Sequence, residues 1–240
     1  MHHLRCSVER IGTRLLVRCG GELCVATVPQ VRAALIKCLV EQPDAVIADL
    51  AGTVVIERTA LSVFAAVARQ AALWPGTPLL ISGTDRQTAE WLVAGHSRLA
   101  AFPSADDALA AESRRLTTSV SDLLLPLAGS AQRARHVTVE ACIRWELPEL
   151  AAPASLVVSE LVANAVMHAE TMIDLRVNLG RRYLMIAVRD GSSAPPRLPP
   201  GSPDGPASAH GLHLVDALTM HWGSMPAEGG KVVWATLART

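Results

Sequence analysis

The sequence predicts an α/β protein of two domains, and three observations carry that expectation. At 240 residues the chain exceeds the common size of one domain, and each half could bury a core of its own. The first half alternates short apolar, β-branched runs with segments of helical periodicity, the pattern of a sheet covered by helices through parallel crossovers. The second half places helical segments before several strands, the order of an α/β sandwich with helices on one face.

Residues 15–20, LLVRCG, read as a strand ended by the turn chemistry of Gly20, Gly21 and Glu22. Across 28–39, Val31, Ala34, Leu35 and Cys38 recur at spacings of three and four, which puts them on one helix face. AVIADL at 45–50 suits a buried strand, LSVFAAVARQAAL at 61–73 a helix stopped by Pro75 and Gly76, and PLLISG at 78–83 another buried strand. Helices over 88–93 and within 106–113 complete this half. From 96 to 122 the apolar pattern weakens. The expected division is a first domain at 8–114, a linker at 115–122 and a second domain at 123–240.

In the second half, 130–145 is an amphipathic helix candidate, Pro148 is expected to interrupt, and a long helix should run over 154–169. Strands at 173–179 and 183–189 follow, joined by Gly180, Arg181 and Arg182. Residues 191–209 hold too much Gly, Pro and Ser for a helix or a central strand. Residues 211–218 can be helical, and KVVWATL after Gly230 reads as a closing strand.

Formal charge is zero, with 22 basic and 22 acidic residues, so no basic footprint marks nucleic acid as a direct partner. The five cysteines form no CxxC pair and lack a His at metal-ligand spacing, and they read as reduced, mostly buried thiols. No apolar run reaches the roughly 18 residues that span a bilayer. His2, His3 and Arg5 are followed at once by Cys6, Ser7 and Glu9, without the apolar stretch of a signal peptide. A cytoplasmic protein is expected.

Chemistry concentrates on VVSELVANAVMHA. Glu160, Asn164 and His168 are four apart and share one helix face, opposite an apolar one. An amide oxygen can ligate Mg²⁺ while a carboxylate one turn away orients or deprotonates a nucleophile. The same pattern also suits the exposed face of any amphipathic helix. Asp190 then ends a strand, where a carboxylate can accept a hydrogen bond from the exocyclic amine of a purine, and Gly191 allows close backbone approach. His210, Gly211 and Leu212 open a helix whose N-terminal amides can bind phosphate. No P-loop is present: Met225 stands where that motif needs glycine, and Val232 follows Lys231 in place of Ser or Thr.

SELVANAVMHA, VRDGSSAPP, HGLHLVDAL and GGKVVWATL, in that order, resemble the GHKL (Bergerat-fold) ATPase superfamily, and within it the bacterial anti-sigma-factor serine kinases. The resemblance implies ATP and Mg²⁺ as cofactors. It implies Glu160 as general base, Asn164 as Mg²⁺ ligand, Asp190 as adenine contact, and Gly191 and Gly211 as loop glycines, with His168, His210 and Leu212 in the cofactor site. Two departures stand out: Ala209 replaces a glycine of the second loop, and Val232 replaces a threonine placed near the adenine. Upstream, GELCVATVPQVRAAL, AVIADLAGTVVIERTALSVF and TPLLISGT resemble a STAS domain, the fold of anti-anti-sigma factors. By that resemblance Thr59 stands at the phospho-acceptor position, with Glu57, Arg58 and Ala60 in place of Asp, Ser and Gly. Because the turn has lost its small residues and gained Arg58, the preferred reading of Thr59 is a helix N-cap. The combination implies a partner-switching regulator that phosphorylates a Ser or Thr of a STAS protein, binds a sigma factor or an anti-anti-sigma protein, and could pair with a second copy. The alternative is an inactive module that sequesters such a partner.

Overall fold

The computed structural model describes residues 3–95, 99–111, 118–196 and 211–239. They fall into two units, Met1–Arg115 and Leu116–Thr240. In the first, strands β1 (Leu4–Ile11), β2 (Arg14–Leu23), β3 (Val46–Val55), β4 (Leu79–Ser82) and β5 (Ala100–Phe102) form one sheet in that spatial order. β1 runs antiparallel to β2, and the other pairs are parallel. Because successive strand residues point to opposite faces, one sequence serves two cores. Val46, Ala48 and Leu50 of β3, with Leu79 and Ile81 of β4, join Leu35 and Leu39 of α1 (Val28–Val40), Phe64 and Val67 of α2 (Ser62–Leu73) and Leu92 of α3 (Arg86–Gly95). Ile47 and Leu80 instead meet Ala108 of α4 (Ala105–Ala110) on the other face.

Three features of this unit lie outside the predicted elements: β5, a three-residue edge strand with no buried residue, β1, and the end of β3. β1 carries mostly exposed residues, so no apolar run announces it; its place comes from pairing with β2 across a turn at Gly12, whose φ of +59° favours glycine. β3 extends to Val55 through a bulge of its own, where Leu50 and Ala51 stand opposite Cys19 alone and the ladder with β2 resumes at Gly20 and Gly52.

All five cysteines are free thiols. Cys6 and Cys19 face each other across β1 and β2 with Sγ atoms 3.6 Å apart. Their hydrogen bond lowers the Cys6 pKa and raises that of Cys19, which burial raises further. Burial pushes Cys38 and Cys142 up to about 11.

In the second unit, β6 (Thr118–Leu124), β7 (Ile173–Leu179), β8 (Tyr183–Asp190), β9 (His221–Ala227) and β10 (Gly230–Ala238) form an antiparallel sheet in the order β6-β7-β8-β10-β9. Helices α5 (Ser130–Arg144), α6 (Pro148–Ala169) and α7 (Gly211–Leu218) share one core with Leu175, Ile186, Val188, Val233 and Ala235. The helices therefore lie on one face, as predicted. Pro148 does not interrupt: it begins α6, because the first helical residue needs no N–H partner. Part of the predicted linker is β6, an edge strand whose exposed Ser119, Ser121 and Leu123 alternate with Val120, Asp122 and Leu124. Among the described residues α6 alone is long and apolar enough to cross a membrane, and its apolar side forms the centre of this core.

Thiol accessibility follows from this burial. In the folded chain at neutral pH, maleimide labelling read by peptide mass spectrometry should modify Cys6 first, with Cys38 and Cys142 protected until unfolding. Equal labelling of Cys142 and Cys6 would contradict the packing described.

Candidate functional site

Leu150, Ala154, Val157, Val158, Leu161, Val162 and Ala165 bury one side of α6, so its remaining stripe has a fixed direction. Glu160 and Asn164 are half-buried on that stripe and His168 is exposed. At about 1.5 Å rise per residue they span about 12 Å of helix. None of the three side chains makes a hydrogen bond among the described residues.

Glycines from two other elements close on the ends of this stripe. Gly211 opens α7 directly against Glu160, and a methyl group added there would run into the carboxylate oxygen Oε2. Leu212 follows with its side chain in the core, and its main-chain N–H lies in the first turn of α7, where the sequence predicts a helix-opening amide. At the other end Glu170 adopts φ +50° and ends α6. Thr171 Oγ1 then accepts a 2.8 Å hydrogen bond from the Gly191 N–H. A methyl at Gly191 would come within 2.6 Å of the Thr171 side chain. Glu160 thus lies at the α7 end of the stripe and His168 toward the Gly191 end.

Asp190, the last residue of β8, is 5% exposed and stands opposite Lys231 of β10. Lys231 Nζ donates to Asp190 Oδ1 at 2.8 Å and to the Ser192 carbonyl at 3.2 Å, and the Ser192 N–H donates to the same Oδ1 at 2.8 Å. Oδ2 has no hydrogen bond among the described residues. Both side chains face the helix layer, since Val188 and Val233, two residues along each strand, lie in the helical core. Val232, expected near the base, therefore points to the other face of the sheet; Lys231 holds the position beside Asp190. Gly230 makes the approach possible, because a methyl there would overlap the Asp190 carbonyl oxygen.

His210 and Ala209 lie outside the described residues. Thr59 is exposed in a short 3-10 turn, Arg58–Leu61, just before α2. It is not a helix cap: no side-chain cap bond forms, and its carbonyl instead accepts from Ser62 Oγ at 2.7 Å. The residues around it are engaged. Glu57 Oε2 accepts from the Val25 N–H at 3.0 Å, and the Arg58 guanidinium lies 5.5 Å from the centre of the Trp91 ring.

Sequence reasoning missed Thr171 and Lys231. Alternation along β10 gives the face of Lys231 but not its register opposite Asp190, and nothing local marks Thr171. A shallow groove between β6 and α5 contains none of the α6 residues, and its charges pair among themselves, Arg133 with Asp122 at 2.8 Å and Arg144 with Glu140 at 2.7 Å.

The three glycines face different obstacles, so their replacement by alanine should cost different amounts. Gly230→Ala meets backbone and should lose about 3 kcal/mol or more, whereas Gly211→Ala meets the end of a flexible carboxylate and should lose about 1 kcal/mol or less. Urea unfolding of the two variants checks this order, and an equal loss would contradict it.

A family model described as a histidine kinase-like ATPase domain matches residues 126–237, and a STAS domain model matches residues 5–99. Similar solved structures include an anti-sigma factor antagonist from Mycobacterium paratuberculosis, at 21% identity over 45% of this chain and 92% of that one, with a TM-score of 0.39. A variant of RsbS from Moorella thermoacetica is 17% identical over 47% of this chain and 97% of its own, with a TM-score of 0.40. The anti-sigma factor antagonist SpoIIAA in its unphosphorylated form is 12% identical over 44% and 94%, with a TM-score of 0.36. None of the curated proteins compared matches the chain.

Proposed function

We propose that this chain, which joins a STAS domain to a histidine kinase-like ATPase domain, is a partner-switching regulator whose second domain binds Mg·ATP and phosphorylates a Ser or Thr of a STAS protein. One observation carries the reading: a carboxylate and a carboxamide, unpaired and half-buried, stand one turn apart on α6 between the Gly211 opening of α7 and the Gly191 end of β8.

The donor set fits such a ligand. Asp190 Oδ2 is left open to accept from the exocyclic amine of adenine, and the amides of Gly211 and Leu212 begin a helix suited to phosphate. The Asn164 side-chain oxygen can ligate Mg²⁺, and His168 lines the same stripe. Mg·ATP, when bound, would supply the γ-phosphoryl group and leave as Mg·ADP. Glu160 takes the proton of the attacking hydroxyl on its carboxylate, and the rest of the contribution is positioning and charge neutralisation.

The partner is an anti-anti-sigma STAS protein, a sigma factor, or both. Thr59 offers an exposed hydroxyl within the chain itself. Arg58 on Trp91 and Glu57 on Val25 favour a second reading for that turn, a docking surface without phosphorylation.

Incubation of the full chain with labelled Mg·ATP and candidate STAS proteins tests the proposal. Transfer should fall by about 10²–10⁴-fold in Glu160→Gln. Equal labelling by the wild-type and Glu160→Gln chains would overturn the kinase assignment, and loss of any self-labelling in Thr59→Ala would locate the internal acceptor.

A further inference from the structure

The Asp190–Lys231 pair is more than the lone carboxylate that accepting one amine requires. Its side chains are only 3% and 9% exposed, and desolvating two charges is costly unless their remaining hydrogen-bonding capacity is used. An ammonium has three donors. Two are taken, by Asp190 Oδ1 and the Ser192 carbonyl, and one is left. The carboxylate is in the complementary state, with Oδ1 occupied by Lys231 and the Ser192 N–H while Oδ2 is open. Cross-strand register keeps the two residues side by side on the helix-facing side of the sheet, beyond the last core residues of β8 and β10. An open acceptor and an open donor thus stand next to each other at the end of the α6 stripe.

We infer that Lys231 is a specificity-determining residue: together with Asp190 it reads the edge of adenine as a donor–acceptor pair, Asp190 Oδ2 accepting from the exocyclic amine and Lys231 Nζ donating to ring N1. This rests on the nucleotide-site reading above. The ammonium has a second effect, since its bond to Oδ1 and the Ser192 N–H together hold the carboxylate in one orientation, with Oδ2 toward the ligand. Val232 cannot take this part, because it faces the other side of the sheet.

Calorimetric titration of the full chain with Mg·ATP and with the Mg²⁺ complex of 1-deaza-ATP, which carries C–H in place of ring N1, reads this contact. The wild-type chain should bind the analogue about tenfold or more weakly, the loss expected for one charge-assisted hydrogen bond. Lys231→Met should bind both nucleotides alike. Because that substitution leaves a buried carboxylate without its counter-charge, Asp190→Asn combined with Lys231→Met serves as the second variant, again with the preference lost. A wild-type chain that binds both nucleotides equally, or a folded variant of either kind that keeps the preference, overturns the inference alone. A wild-type chain that binds neither overturns the nucleotide-site reading and the inference with it.

Discussion

Everything proposed for the second unit depends on the two-sidedness of α6. Its inner side, from Leu150 to Ala165, is the centre of the core against the sheet, and that burial fixes the rotation of the helix. Fully burying a Val or Leu side chain is worth about 1.5–3 kcal/mol, so turning the helix to hide Glu160 and Asn164 would forfeit several such contributions. The polar stripe is held in place by what lies beneath it. The glycines then let neighbouring backbones come close: Gly211 against Glu160, Gly191 against Thr171, and Gly230 against the Asp190 carbonyl.

At the end of the stripe the controlling term is electrostatic. Asp190 and Lys231 are both nearly dry, and their separation of 2.8 Å, with the Ser192 backbone completing the shell, makes that burial tolerable. Such a pair contributes little net stability compared with well-packed apolar residues, but it fixes geometry. Loss of one partner leaves the other charged and buried, so local order and recognition depend on the same bond. In the first unit the turn at Glu57 to Ala60 shows a different balance. The side chains flanking Thr59 are tied to Val25 and Trp91, while Thr59 itself stays exposed.

Much of this was legible in the sequence because it is periodic. Apolar spacing located α1, α2 and the buried strands β3 and β4, and the four-residue spacing of Glu160, Asn164 and His168 placed them on one face. The elements that escaped are those whose burial pattern is weak. β1, β5, β6 and β9 are the edge strands of the two sheets and each buries at most one residue, so they resemble loops. Pro148 was misread because proline breaks a helix interior but is welcome at its first residue. Lys231 escaped for another reason: its role depends on which residue of β8 it faces, and cross-strand register is a tertiary property. Thr171 likewise matters only because the end of α6 meets the end of β8.

The central claim is that the α6 stripe and the ends of β8 and α7 form one nucleotide site. Calorimetric titration of the full chain with ATP, with and without Mg²⁺, tests it most directly. Saturable binding of one nucleotide per chain is expected, tighter when Mg²⁺ is present because Asn164 holds the ion. No heat of binding at millimolar Mg·ATP would contradict it.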